Sequence, residues 1–159
     1  IGGRAVLARL RDVPGEGWTV LIGHSGGGIA GLHAAALLAE QYPARRLAVA
    51  LIGSPRSPVP RPLAPRTAYF YAAGRGERPR DPIACLGSWG GWRRGRCGLP
   101  VWDRRLHRPG CVRALPLAGG HADYFRTRLT AADGRTNLQC VEDEIWGWLA
   151  QLFAGDAAV

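Results

Sequence analysis

The chain has 159 residues, 47% of them hydrophobic, and a formal net charge of +9. That is one domain's worth of sequence with enough apolar content to bury a core, which excludes a disordered polymer. No apolar run approaches the roughly 20 residues of a membrane-spanning helix.

Ala5–Arg11 has the spacing of a short helix, stopped by Pro14 and Gly15. Trp18–Ile22 is an unbroken apolar run of strand length, as expected for a strand buried on both faces. From Gly26 to Gln41 the pattern is helical, with Ile29, Leu32, Ala36 and Leu37 recurring at three and four before Pro43. Leu47–Ile52 reads as a second buried strand, closed by the proline-rich GSPRSPVPRP. Thr67–Ala72 is a third strand. Cys111–Leu117 is a weaker fourth, whose Pro116 marks its end or a sheet edge. In the last helix, Thr136 and Gln139 form a capping-box pattern ahead of an apolar stripe at Leu138, Val141, Ile145, Leu149 and Leu152. Strands alternating with helices predict an α/β layer fold with a mostly parallel sheet. Residues 74–110, rich in Gly, Arg and Trp, show no clear period and read as a long loop, of a length that is usually functional or mobile.

All 21 basic residues are arginine, as a GC-rich coding sequence would produce. Six of them fall between Arg93 and Arg108 among Trp92 and Trp102. No nucleic-acid module pattern accompanies them, so they read as a solvated basic loop and no nucleic-acid partner is expected. Cys85, Cys97, Cys111 and Cys140 form no C-x-x-C pair and have no zinc-like spacing to histidine. Cys111 and Cys140 are expected to be buried thiols, and no metal or cofactor is called for. Ile1 opens a chain without methionine, so the natural N-terminus is expected to have been lost or trimmed.

The chemistry concentrates at Gly23-His24-Ser25-Gly26-Gly27, a G-x-S-x-G between a predicted strand and a predicted helix. So tight a turn strains the serine backbone and leaves no room for side chains at the flanking glycines. The Ser25 hydroxyl is then thrust above the sheet, with the Gly26 N–H beside it as an oxyanion donor. A serine also needs a base and an orienting acid, which in this arrangement follow in the order Ser, Asp or Glu, His. That order excludes Asp12 and Glu16. Asp81 follows the third strand after a short loop, and Asp103 competes from farther away. His121 follows the fourth strand in AGGHADYF; His107 lies in the arginine-rich loop and His33 inside a helix. His24, next to Ser25, is expected to point elsewhere. The rival reading takes Gly26–Gly31 as a G-x-G-x-x-G dinucleotide loop, with Arg56 placed for a 2′-phosphate and an NADP-binding reductase as the outcome.

IGHSGGGIAGLHAA, LIGSPR, RDPIACLG and HADYF together resemble the α/β-hydrolase superfamily, and within it the class-3 (fungal-type) lipases. The resemblance spans about Trp18 to Phe125. It implies Ser25 as nucleophile, Asp81 as acid and His121 as base, a lipid or small-molecule ester as substrate, and no cofactor. The family's elbow carries a bulkier residue where Gly26 stands, and its sheet has further strands before the elbow. The resemblance therefore implies a partial fold: the C-terminal part of a longer α/β-hydrolase domain, lacking the N-terminal strands, with a loop or lid insertion at 74–110. On that reading Trp89, Trp92 and Trp102 line a lid or acyl wall and the loop arginines meet anionic head groups or a membrane surface; the equal alternative is surface decoration, with the tryptophans anchoring the loop to the core. A non-catalytic module of the same fold is the remaining alternative.

Overall fold

The computed structural model describes residues 2–10, 17–74 and 78–156. Arg11, Asp12, Pro14, Gly15 and Glu16, which entered the sequence reading, lie outside them. The elements in chain order are α1 (Gly2–Leu10), β1 (Trp18–His24), α2 (Gly26–Gln41), β2 (Arg46–Ile52), β3 (Thr67–Ala72), β4 (Gly91–Arg94), β5 (Pro100–Asp103), β6 (Cys111–Leu115) and α3 (Asn137–Asp156). β1, β2, β3 and β6 form a fully parallel sheet in that order. The expected α/β class with a parallel sheet is what the structure has.

Two apolar layers grip the sheet, and strand alternation assigns residues to each. Leu47, Val49 and Leu51 of β2 face α2 together with Tyr69 and Leu63. Ala48, Ala50 and Ile52 face α3, where Phe70 and Leu115 meet Cys140, Val141, Ile145 and Trp148. An apolar run without visible alternation is therefore two interleaved cores. The capping box at α3 is formed: Thr136 N–H donates to Gln139 Oε1 at 2.8 Å, and Gln139 N–H donates to Thr136 Oγ1 at 3.2 Å.

Three expectations need correction. β1 is not buried on both faces: it is an outer strand of the sheet, half-buried, with Ile22 52% exposed. Only β2 and β3, with neighbours on both sides, are covered along nearly their whole length. Cys111 is only half-buried, because β6 is the other outer strand, whereas Cys140 is fully enclosed on the sheet-facing side of α3. Residues 78–110 are not featureless. A 3-10 turn spans Ile83–Cys85, and β4 pairs antiparallel with β5, Trp92 opposite Trp102. The Trp-Arg-Arg sequence of β4 lacks apolar-polar alternation, so its pairing rests on a local turn, with Gly95 N–H donating to the Leu99 carbonyl at 2.8 Å.

Candidate active site

A parallel sheet brings all its strand C-termini to one edge, and the candidate residues gather there. β1 ends at His24, α2 begins at Gly26, and one residue, Ser25, makes the whole turn. Its φ of 55° and ψ of −130° are strained for an L-residue. Among the described residues it is the sole non-glycine with positive φ. Such a conformation costs about 1–3 kcal/mol and persists only where the surroundings enforce it. Here Ser25 N–H donates to the Ile52 carbonyl at 3.0 Å, tying the turn to the neighbouring strand.

The glycines around the turn divide differently from the motif. A Cβ on Gly23 would lie 2.6 Å from the Gly27 carbonyl, and one on Gly28 would strike Ser54 Oγ. Cβ atoms on Gly26 and Gly27 would meet nothing within 4 Å. The steric demand expected at Gly27 therefore falls on Gly28, one position later, where α2 crosses the end of β2. The Gly26 N–H has no acceptor inside the first turn of α2, and no side chain caps that helix. It remains a donor beside the serine.

His121 opens a 3-10 turn at His121–Asp123. Its Nδ1–H donates to Asp81 Oδ2 at 2.8 Å, and its Nε2 lies 2.9 Å from Ser25 Oγ. The carboxylate fixes the tautomer: with the proton on Nδ1, Nε2 is left to accept from the serine hydroxyl. Asp81 is fully buried, yet its oxygens are well used. Oδ1 accepts Ile83 N–H at 2.9 Å, and Oδ2 also accepts the Tyr124 hydroxyl at 3.0 Å. Ser25, Asp81 and His121, distant in sequence, are thus brought together in hydrogen-bonded series.

Other candidates lie apart. Asp103 sits on β5 and ion-pairs with Arg93 at 3.0 Å. His33 is exposed on α2 beside Gly3 of α1, and His107 packs against Gly91. His24 does not point elsewhere, as expected, but stacks on His121 with ring centroids 4.8 Å apart. Its Nε2–H donates to the His121 carbonyl at 3.1 Å. Burial, then the charge of His121, lowers the pKa of His24 below the usual imidazole value.

Two further residues escaped the sequence reading. Tyr124 is buried, donates to Asp81, and accepts Ala72 N–H at 2.9 Å. Burial raises its phenol pKa, so it stays a donor. Gly53, at φ 51°, makes room for it: a Cβ there would sit 2.7 Å from the Tyr124 ring. Asn137, fully buried, accepts Ala118 N–H at 3.0 Å and donates to the carbonyls of Ala118 (2.7 Å) and Asp123 (2.8 Å). It therefore clamps both sides of the His121 turn. The only sequence signal for Tyr124 is its position three residues after the histidine.

Comparison with family models, with curated proteins and with solved structures finds no match to this chain. The geometry alone bears on the rival glycine-loop reading. Gly26–Gly31 lies wholly within α2, with Gly28 and Gly31 buried against the sheet, and does not form a loop ahead of the helix. Arg56 lies over Trp89, 5.1 Å from the ring centroid.

Proposed function

We propose that the chain is a carboxylic ester hydrolase of the α/β-hydrolase type, acting through Ser25, His121 and Asp81. The observation that carries this reading is the hydrogen-bonded series Ser25–His121–Asp81, at 2.9 and 2.8 Å. Ser25 Oγ attacks the ester carbonyl carbon while His121 Nε2 takes its proton. Asp81 holds the imidazole in place and stabilises the imidazolium. The oxygen that becomes negative faces the Gly26 N–H at the positive end of α2. Collapse expels the alcohol, protonated by His121, and leaves an acyl group on Ser25. Water, activated by the same imidazole, then releases the acid.

The resemblance to class-3 lipases supports a lipid or short-chain ester as the substrate class. The same three groups would serve a thioester or an amide. Among the described cavities, the one of about 460 Å³ lies beside the end of α2 at Glu40 and Arg66 and includes none of the three residues. The reading therefore rests on the hydrogen-bonded groups and not on a preformed acyl pocket.

Labelling with a fluorophosphonate, read by intact mass, is the test. A single adduct is expected on the parent, absent in Ser25→Ala and formed more slowly in His121→Ala and Asp81→Asn. A folded parent that takes no adduct would favour the non-catalytic module. Saturable binding of NADPH would favour the reductase.

A further inference from the structure

The β4–β5 hairpin presents to solvent a surface the triad does not use. Trp92 and Leu99 are each 68% exposed, and Val101 and Trp102 beside them are also exposed. The two indoles pack edge to face at 5.5 Å, each covering only part of the other. The apolar area these side chains leave in water adds no hydrophobic stabilisation to the fold. The base of the hairpin, by contrast, is fastened to the body. Trp89 packs edge-on against Tyr69 at 5.0 Å, His107 N–H donates to the Trp89 carbonyl at 2.9 Å, and Val59 N–H donates to the His107 carbonyl at 3.0 Å.

Charge singles out the same surface. Of the six arginines between 93 and 108, only Arg93 is neutralised, by Asp103. Arg94, Arg96, Arg104, Arg105 and Arg108 form no ion pair among the described residues. Trp92, Arg93, Arg94, Gly98 and Pro100 line an open groove of about 360 Å³ on the hairpin.

We propose that this hairpin docks the protein onto an anionic phospholipid surface. Tryptophan settles at the level of lipid headgroups, and arginine pairs with phosphate there while its stem stays in apolar surroundings. Leu99 at the turn and Val101 on β5 would enter the acyl boundary. A nucleic acid offers these aliphatic side chains no comparable environment, and it asks for an open aromatic face instead of an edge-packed pair. No helix among the described residues is long and apolar enough to cross a membrane.

Co-sedimentation with vesicles tests this, using phosphatidylcholine alone and phosphatidylcholine mixed with phosphatidylglycerol. The protein is expected to pellet with the mixed vesicles, weakly or not with the neutral ones, and less as salt rises. Neutralising Arg94 and Arg104 to Gln should weaken binding about fivefold for each arginine. Trp92→Ser with Leu99→Ser should weaken it at least about tenfold, with circular dichroism confirming a folded chain. Ser25→Ala should bind like the parent, which separates this proposal from the hydrolase reading. Absence of binding to the mixed vesicles, equal binding to neutral ones, or binding untouched by both double variants would overturn it. So would single-stranded oligonucleotide binding lost in these variants without any vesicle binding.

Discussion

Tyr124 donates its phenol hydrogen to Asp81 Oδ2 at 3.0 Å, the same oxygen that accepts His121 Nδ1–H at 2.8 Å. That phenol also accepts the N–H of Ala72, the last residue of β3. One side chain thus joins the sheet edge, the acid and the turn that carries the base. Tyr124→Phe removes one of the three hydrogen bonds to Asp81 and strands a buried amide. The expected outcome is a stability loss of about 1–3 kcal/mol in urea titration and a fluorophosphonate labelling rate about tenfold lower. Lost stability with the parent's labelling rate would restrict Tyr124 to a role in the fold.

His24 gives a prediction in pH. Its folded pKa lies below the usual imidazole value of 6.5 because burial, then the charge of His121, disfavours its protonated form; the hydrogen bond to the His121 carbonyl and then Asp81 act in the opposite direction. Between that folded value and 6.5 the unfolded chain binds a proton that the folded chain does not. This contribution to stability is therefore complete above 6.5 and is lost as pH falls toward the folded pKa. His24→Phe keeps an aromatic ring beside His121 and removes the titration. Its stability should fall less steeply with acid over that window than the parent's, while at neutral pH it is lower by about 1 kcal/mol for the lost N–H donor. Chemical denaturation along a pH series measures both, and parallel slopes would refute the assignment.

The sheet was legible because its signals are local: apolar runs of strand length, an alanine-rich helix, a capping box. Ser25, Asp81 and His121 were legible because a strained turn and a fixed chain order confine the choice. What was hidden depends on partners distant in sequence. Nothing near Asn137 announces that it will reach back to Ala118, and nothing near Tyr124 announces Ala72. The half-burial of β1 depends on its place in the strand order, which its own seven residues do not encode. The β4–β5 pairing hid for another reason: its exposed Trp and Arg side chains leave no buried face to create a pattern.

Asn137 holds three half-buried backbone groups on both sides of His121. Asn137→Ala leaves the N–H and the carbonyl of Ala118 without a partner, whereas the Asp123 carbonyl keeps the Arg126 N–H at 3.1 Å, and the cavity it opens is small. A loss of about 3 kcal/mol is expected, equivalent to a Tm lower by about 6–12 °C. Asn137→Asp should be similarly costly, because a carboxylate accepts the Ala118 N–H but has no hydrogens for the two carbonyls. In both variants the labelling of Ser25 should slow at temperatures where circular dichroism reports a folded chain. Thermal melts together with labelling rates distinguish a clamp on the His121 turn from a contribution to helix α3 alone.

The elbow glycines differ in what they tolerate, and the G-x-S-x-G pattern alone does not rank them. Gly27 is helical, exposed and faces open space, so Gly27→Ala should stabilise by about 0.5–1 kcal/mol through helix propensity. Gly23→Ala drives a methyl group to 2.6 Å from the Gly27 carbonyl carbon and oxygen, both backbone atoms. Relief requires α2 to move away from β1, at a cost of about 3 kcal/mol, and carries Ser25 out of reach of His121 Nε2. Gly28→Ala meets the Ser54 hydroxyl, a side chain, together with the Gly23 carbonyl at 2.9 Å, and should fall between the other two. Urea titration of the three variants is expected to order them Gly27, Gly28, Gly23 from most to least stable. Labelling should persist in Gly27→Ala and vanish in Gly23→Ala. If Gly27→Ala were as damaging as Gly23→Ala, the close approach would lie where the motif puts it and not one residue later.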